Sequence, residues 1–204
     1  MLHTLRAATP GADNLLRAMF ASRKRVFVDL LGWDVPVIDG RFEIDQFDDE
    51  YATYLIVTDD EGRHLASARL LASTRPHILG NLFPQLCDGP VPVGSATWEI
   101  TRFCLDRDLS ARERRDVRDS LVTALVDHAL DTGIAHYTAI AELGWVQQIL
   151  AFGWECWPLG LARDVDGEHL AALEIRIAPD TPDRLAHAGI TNRLHVSDDA
   201  LVAA

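Results

Sequence analysis

The stretch TWEITRFCLDRDLSARERRDVRDSLVTALVDHALDTGIAHYTAI, residues 97–140, decides the fold of this chain. Thr97–Leu105 reads as a strand. Ser110 then stands where a helix N-cap belongs, and Val117, Leu121, Leu125 and Ala129 recur on one face as far as about Asp131. Gly133 is placed to end that helix, and residues 135–140 form the next strand. Strand, long helix and strand in succession imply a crossover connection, and hence a layered α/β architecture.

Toward the N-terminus, residues 2–7 read as an opening strand. Asp13 is expected to cap a helix over about residues 14–27, with Leu15, Leu16, Met19, Phe20, Val26 and Phe27 at helical spacing. Residues 31–48 carry the breakers Gly32, Pro36 and Gly40 and read as a loop. Residues 51–58 and 64–71 flank the turn sequence DDEG and predict a hairpin. Residues 72–95, rich in Pro and Gly, read as a long functional loop. Toward the C-terminus, residues 145–152 predict a helix ended by Gly153, and residues 154–158 and 170–177 the last strands. The order β-α-β-β-β-α-β-α-β-β predicts a three-layer α/β/α sandwich with a mixed sheet. Tyr54, Leu55, Ile56 and Val57 are apolar on both faces of one strand, as covering helices on both sides require. One domain over residues 1–180 is expected, followed by a loosely packed tail at 181–204.

The chain has 204 residues and a formal net charge of -12, with pI near 4.9. That argues against nucleic-acid binding, which relies on phosphate neutralisation by Lys and Arg. Lys24 is the sole lysine. Cys87, Cys104 and Cys156 are widely spaced and lack metal-ligand neighbours, so inert thiols are expected, with no disulfide and no metal site. The N-terminal residues contain no signal-like apolar run, and no stretch has the ~18 consecutive apolar residues of a membrane span. A cytoplasmic protein fits these features.

Against that background a charged and aromatic series stands out: Arg23, Phe27, Trp33, Asp45, Asp48, Arg69, Glu99 and Arg102. Buried charge is costly unless paired, so these residues are expected to pair around a binding site. On strand 64–71, Arg69 shares a face with Leu65, Ser67 and Leu71 and needs an anionic partner. Asp45 and Asp48 are the candidates. Glu99 and Arg102 are three apart on one strand, so regular alternation puts them on opposite faces. A β-bulge between them would bring both to one side and splay the strand from its neighbour. Trp33, next to Gly32, is either a ring against a ligand or an anchor for its loop.

The runs Arg23-x-x-x-Phe27, Leu31-Gly32-Trp33-Asp34-Val35 and Glu43-Ile44-Asp45-Gln46-Phe47-Asp48 resemble the acyl-homoserine-lactone synthases, the autoinducer synthases of quorum sensing. Ser67-Ala68-Arg69-Leu70, Phe83-Pro84 and Trp98-Glu99-Ile100-Thr101-Arg102-Phe103 do so too, in family order across about residues 5–160. The resemblance implies a fold similar to the GCN5-related N-acetyltransferases. It implies two substrates and no separate cofactor: S-adenosylmethionine, and an acyl thioester carried by an acyl carrier protein or coenzyme A. The amine attacks the thioester to form an amide. The methionine-derived carboxylate then closes the lactone and expels methylthioadenosine.

On this resemblance Glu99 is the candidate base and Arg102 its catalytic companion. Arg23, Phe27, Trp33, Asp45, Asp48, Arg69, Phe83 and Thr101 are candidates for binding the substrate. Leu121, Leu125, Ile140, Trp145, Ile149 and Phe152 are candidates for an acyl pocket, with ordinary core as the alternative. Arg112, Arg114, Arg115 and Arg118 could dock the donor, or form a solvated helix face. Family members with a 3-oxo preference carry Thr eleven residues before the glycine matching Gly153, and Glu142 stands there. Two rival readings use the same fold: an N-acyltransferase for another amine, and a non-catalytic ligand-binding regulator.

Overall fold

Alternating apolar strands and periodic helices assemble in the computed structural model, which describes residues 1–6 and 11–193, into one large sheet with helices on both faces. The long strands are β1 (Leu2–Arg6), β4 (Thr53–Thr58), β5 (His64–Ala72), β6 (Thr97–Leu105), β7 (His136–Glu142), β8 (Glu155–Pro158) and β10 (Glu168–Arg176). Their order is β1-β4-β5-β6-β7-β10-β8, with β9 (Arg163–Val165) also paired to β10. Every pairing is antiparallel except β6 with β7, so the sheet is mixed. The helices are α1 (Asp13–Arg23), α2 (Ile78–Asn81), α3 (Ala111–Thr132), α4 (Leu143–Leu150) and α5 (Thr181–His187).

Helix α3 makes the β6–β7 crossover and covers one face of the sheet. Its start is a capping box between Ser110 and Glu113, and Gly133 ends it at φ +76°. Val117, Leu121, Leu125 and Ala129 face a core that includes Leu55, Leu70, Ile100, Tyr137 and Ile175. The opposite face carries a second core of Leu16, Met19, Phe47, Tyr54, Ile56 and Leu71, packed beneath α1. These are the three layers expected.

Several local expectations are corrected. Asp13 is the first residue of α1, not its cap; Ala12 occupies the N-cap with helical dihedrals and no side-chain bond. After Arg23 the helix widens into a π-helical turn, Lys24–Val28. The loop at 31–48 contains the short pair β2 (Val37–Ile38) and β3 (Phe42–Glu43). The loop at 72–95 contains α2 and a 3₁₀ turn, Pro84–Leu86. Strand β9 has no clear signature in the sequence.

The tail is not loose where it is described. Thr181, Leu185 and Ile190 are buried, and Leu185 and Ile190 join the α3-side core. Gly153, at φ +95°, lets α5 approach so closely that a Cβ there would lie 2.7 Å from the Arg184 carbonyl oxygen. Residues 194–204 lie outside the described residues.

Candidate active site

The site grows from an irregularity in β6. Between Thr101 and Cys104 this strand carries one residue more than β5: Arg69 pairs with Thr101, whereas Ser67 pairs with Cys104. Arg102 sits in this bulge at φ +50°, a left-handed conformation that costs a non-glycine residue free energy. A bulge is therefore present, but at Arg102–Phe103 rather than between Glu99 and Arg102, where the ladder to β5 stays regular through Thr101. Pairing of β6 with β7 ends at Ile100–Ala139, although both strands continue, so the strands splay and open a gap in the sheet.

Next to the gap lies a closed ionic network. The Arg23 guanidinium donates two parallel bonds to Asp48, at 2.8 and 2.9 Å, and a third to Glu43. Arg69 donates two to Asp45, at 2.6 and 3.0 Å, and one from Nε to the Thr101 hydroxyl at 2.9 Å. Its Nη1 is also 2.9 Å from Asp48. Arg102 donates from Nη2 to Glu43 Oε1 at 3.0 Å and to Asp45 Oδ2 at 2.7 Å. Tyr54 adds a hydroxyl donor to Asp48 at 3.0 Å. Three guanidinium groups thus face three carboxylates, and the bidentate pairings are the geometry that best offsets the loss of water.

Burial alone would raise the Asp48 carboxyl. The bonds and charge of Arg23, with the charge of Arg69, outweigh it and hold Asp48 well below the usual carboxylate range. Burial likewise opposes the charge on Arg23, and its two carboxylate partners reverse that effect.

The structure reassigns one partner. The third carboxylate of the network is Glu43, not Glu99. Glu43 lies in the motif run at 43–48 but outside the site residues expected from sequence. Its spacing two residues before Asp45 is a usable signal, because residues i and i+2 of an extended segment share a face.

Glu99 stands apart. Its two carboxylate oxygens accept the backbone N–H groups of Ile78, at 2.7 Å, and Leu79, at 2.9 Å, in α2. It is fully buried, and burial pushes its pKa up to about 7. The two N–H bonds and the charges of Arg69 and Arg102 only partly counter that rise. A carboxylate poised near neutrality is suited to taking a proton at physiological pH.

Aromatic rings wall the network. Phe27, set in the π-helical turn, stacks on Trp33 with centroids 4.7 Å apart and planes 11° from parallel. The Arg102 guanidinium lies over both rings, at 5.7 and 5.9 Å. Trp33 is therefore held to the network. Phe83 is half-buried just past α2 and, like Ile140, packs against the cluster of Leu79, Leu86 and Ala172.

The acyl-pocket candidates divide, with four of the six on the α3-side core. Leu121, Leu125 and Phe152 are core on the α3 face, and Ile140 packs on the other face of the sheet with Leu79 and Phe83. Leu121 and Leu125 are fully or almost fully buried and close-packed, so they are ordinary core. Ile149 packs at the edge of that core, while Trp145 on α4 meets Phe103 of β6 at 6.1 Å. Trp145 and Phe103 bring α4 against β6 beyond the point where that strand leaves β7.

The four donor-docking candidates also divide. Arg114 donates to the Asp106 carbonyl, and Arg118 pairs with Asp119 at 2.6 Å. Arg112, Arg115 and Arg118 line an open cleft with Asp116 and Arg193.

Comparisons with known proteins bear on the family and the fold. The family model described as autoinducer synthase matches residues 9–175. The chain belongs to the autoinducer synthase family. An acyl-homoserine-lactone synthase of Ralstonia solanacearum is 41% identical over 165 residues, covering 78% of this chain and 80% of the relative. One from Rhizobium etli is 37% identical over 153 residues, covering 74% and 72%. Among solved structures, a CoA-dependent acyl-homoserine lactone synthase, BjaI, with SAM and isopentyl-CoA, superposes with a TM-score of 0.82. It is 29% identical over 93% of this chain and 90% of that one. The family and the fold class inferred from the motifs are thereby shown.

Proposed function

We propose that this autoinducer synthase transfers an acyl group from a thioester to the amine of S-adenosylmethionine and closes the homoserine lactone, releasing methylthioadenosine. The observation that carries the reading is the buried Glu99 carboxylate, near neutrality, beside the gap where β6 leaves β7. S-Adenosylmethionine is a substrate here, and no separate cofactor enters the scheme. The reading places the enzyme in the cytoplasm, where both substrates are made; no described helix is long and apolar enough to cross a membrane.

The chain's residues divide the work. Glu99 takes the proton of the α-ammonium so that the amine can attack the thioester carbonyl. Backbone N–H groups of β6 beyond Ile100, outside the ladder to β7, are placed to stabilise the developing oxyanion. Arg102 is the network's most accessible guanidinium: its side chain is 10% exposed, against 1% for Arg23 and 0% for Arg69. It is the group to receive the substrate carboxylate, while Arg23, Arg69, Asp45, Asp48 and Thr101 hold it and the loop in place. Phe27 and Trp33 keep water from the network, and Phe83 packs on the cluster of Leu79, whose N–H donates to Glu99. Arg112 and Arg115 are placed to meet an anionic thioester carrier.

The test is incubation with S-adenosylmethionine and a panel of acyl-CoA and acyl-carrier-protein thioesters, with methylthioadenosine and the amide product followed together. Methylthioadenosine is expected with at least one donor. Its absence with every donor would defeat the synthase reading in favour of acyl transfer to another amine. Glu99→Gln should remove most turnover while leaving the protein folded.

A further inference from the structure

Thr138 is fully buried, yet its hydroxyl has no hydrogen-bond partner among the described residues. A buried polar group left unpaired is costly, and valine would fit a central strand better at the same volume. The position of the hydroxyl explains why threonine is there. In the parallel β6–β7 pairing Thr138 stands directly beside Glu99, the last but one register position before the strands part. Residues in register on adjacent strands, about 4.8 Å apart, point to the same face. The Glu99 oxygens accept the Ile78 and Leu79 N–H groups, and each retains a second lone pair. A hydroxyl and a carboxylate beside each other, both with unused bonding capacity, make a water site.

We propose that Thr138 is a positioning residue for proton transfer: with Glu99 it holds one water through which the substrate ammonium passes its proton. The inference rests on the reading of Glu99 as the base. The balance is simple. An N–H bond of the ammonium breaks and its proton goes to the water, while a proton of the water goes to the Glu99 carboxylate. The freed amine pair attacks the thioester and the C–S bond breaks; the adduct nitrogen gives its second proton to the departing thiolate, and Glu99 returns the first to solvent. The charged and titratable groups around Glu99 are Arg69 on β5, Arg102 on β6, His77 at the head of α2, and the His136–Glu174 pair of β7 and β10. His77 Nε2 also lacks a hydrogen-bond partner among the described residues, but the Thr138 hydroxyl is the one carried in register beside Glu99.

The test compares wild type with Thr138→Val, Thr138→Ser, Thr138→Ala and Glu99→Gln, measuring kcat, KM for S-adenosylmethionine, the pH profile and the melting temperature. Thr138→Val should melt no lower than wild type, keep its KM, and lose about tenfold in kcat, the worth of one hydrogen bond. The acid limb of its profile should move to higher pH, because a donor to the carboxylate is lost. Thr138→Ser should recover most of kcat and Thr138→Ala should not, a contrast that decides the matter even if valine disturbs the strand. Wild-type kcat and pH profile in the valine variant, or equal activity in the serine and alanine variants, would overturn the proposal. If Glu99→Gln retains turnover, the base reading itself fails, and that outcome is separate from any result at Thr138.

Discussion

Glu43→Gln is the sharpest perturbation of the ionic network, because it changes one charge and almost no volume. Glu43 is fully buried and accepts Arg23 at one oxygen and Arg102, through Nε and Nη2, at the other. Glutamine replaces one acceptor oxygen by an NH₂ group, so an amide donor would face a guanidinium donor. Three guanidinium groups, two of them fully buried, would then share two carboxylates. Removing one partner of a buried pair costs about 3–5 kcal/mol. For a chain of this size each kcal/mol moves the melting temperature by about 2–4 °C, so a fall of roughly 6–20 °C is expected. The internal control is Lys24→Ala. Its pair with Asp29 is 2.7 Å long, but the side chains are 25% and 37% exposed, and such pairs contribute about 1 kcal/mol or less. Thermal unfolding near neutral pH, followed by circular dichroism, compares the two variants with wild type. A Glu43→Gln variant melting within about 2 °C of wild type would refute the account of the network as a matched, desolvated set.

The same geometry sets other expected outcomes. Activity in kcat/KM should rise with pH through about 7 as Glu99 loses its proton. Because its folded pKa lies above the ordinary 4.5, Glu99 favours folding when protonated, and that contribution is lost as pH rises from about 4.5 through about 7. Glu99→Gln should abolish both dependences, as pH titrations of rate and melting temperature would show. Leu121→Ala should cost about 2–5 kcal/mol in stability, read by denaturant unfolding, without altering the order of preferred acyl donors. Trp145→Ala, at the edge of the gap, should leave stability nearly unchanged and shift that order toward bulkier acyl groups. Gly153→Ala places a Cβ against the Arg184 carbonyl at an unfavourable φ. It should lower the melting temperature and expose α5 to limited proteolysis first.

Short-range periodicity makes part of this protein legible from its residues alone. Alternation identifies β5 and β6 to within a residue, and the Ser110 and Gly133 signals bound α3, because caps and pleats are local. The same parity argument calls for a bulge between Glu99 and Arg102, and the structure has it slightly later, at Arg102 itself. The features that escape are set by the chain's return in space. A four-residue helix such as α2 has no period to read, yet it supplies the two N–H groups that fix Glu99. Leu121 and Trp145 are both apolar positions at helical spacing, and only packing separates core from gap wall. The tail beyond residue 180 reads as loose because α5 is short and polar. Its attachment depends on Leu185, Ile190 and a glycine some thirty positions earlier.

The reassignment of Glu43 also changes what the charged series can do. With Glu99 as its third anion, the cluster would have had to balance charge and perform catalysis with the same carboxylate, and each protonation would have unbalanced it. With Glu43 in that place the network is neutral and complete without Glu99. Glu99 can then gain and lose a proton against neutral backbone donors, at a pKa that burial sets near 7, while the arginines stay paired. Arg102 joins the two parts. It takes its strained conformation from the bulge that opens the gap, and its charge is held by Glu43 and Asp45 at the network's edge. A guanidinium anchored on two carboxylates but reaching solvent can bind a substrate carboxylate without leaving either partner bare.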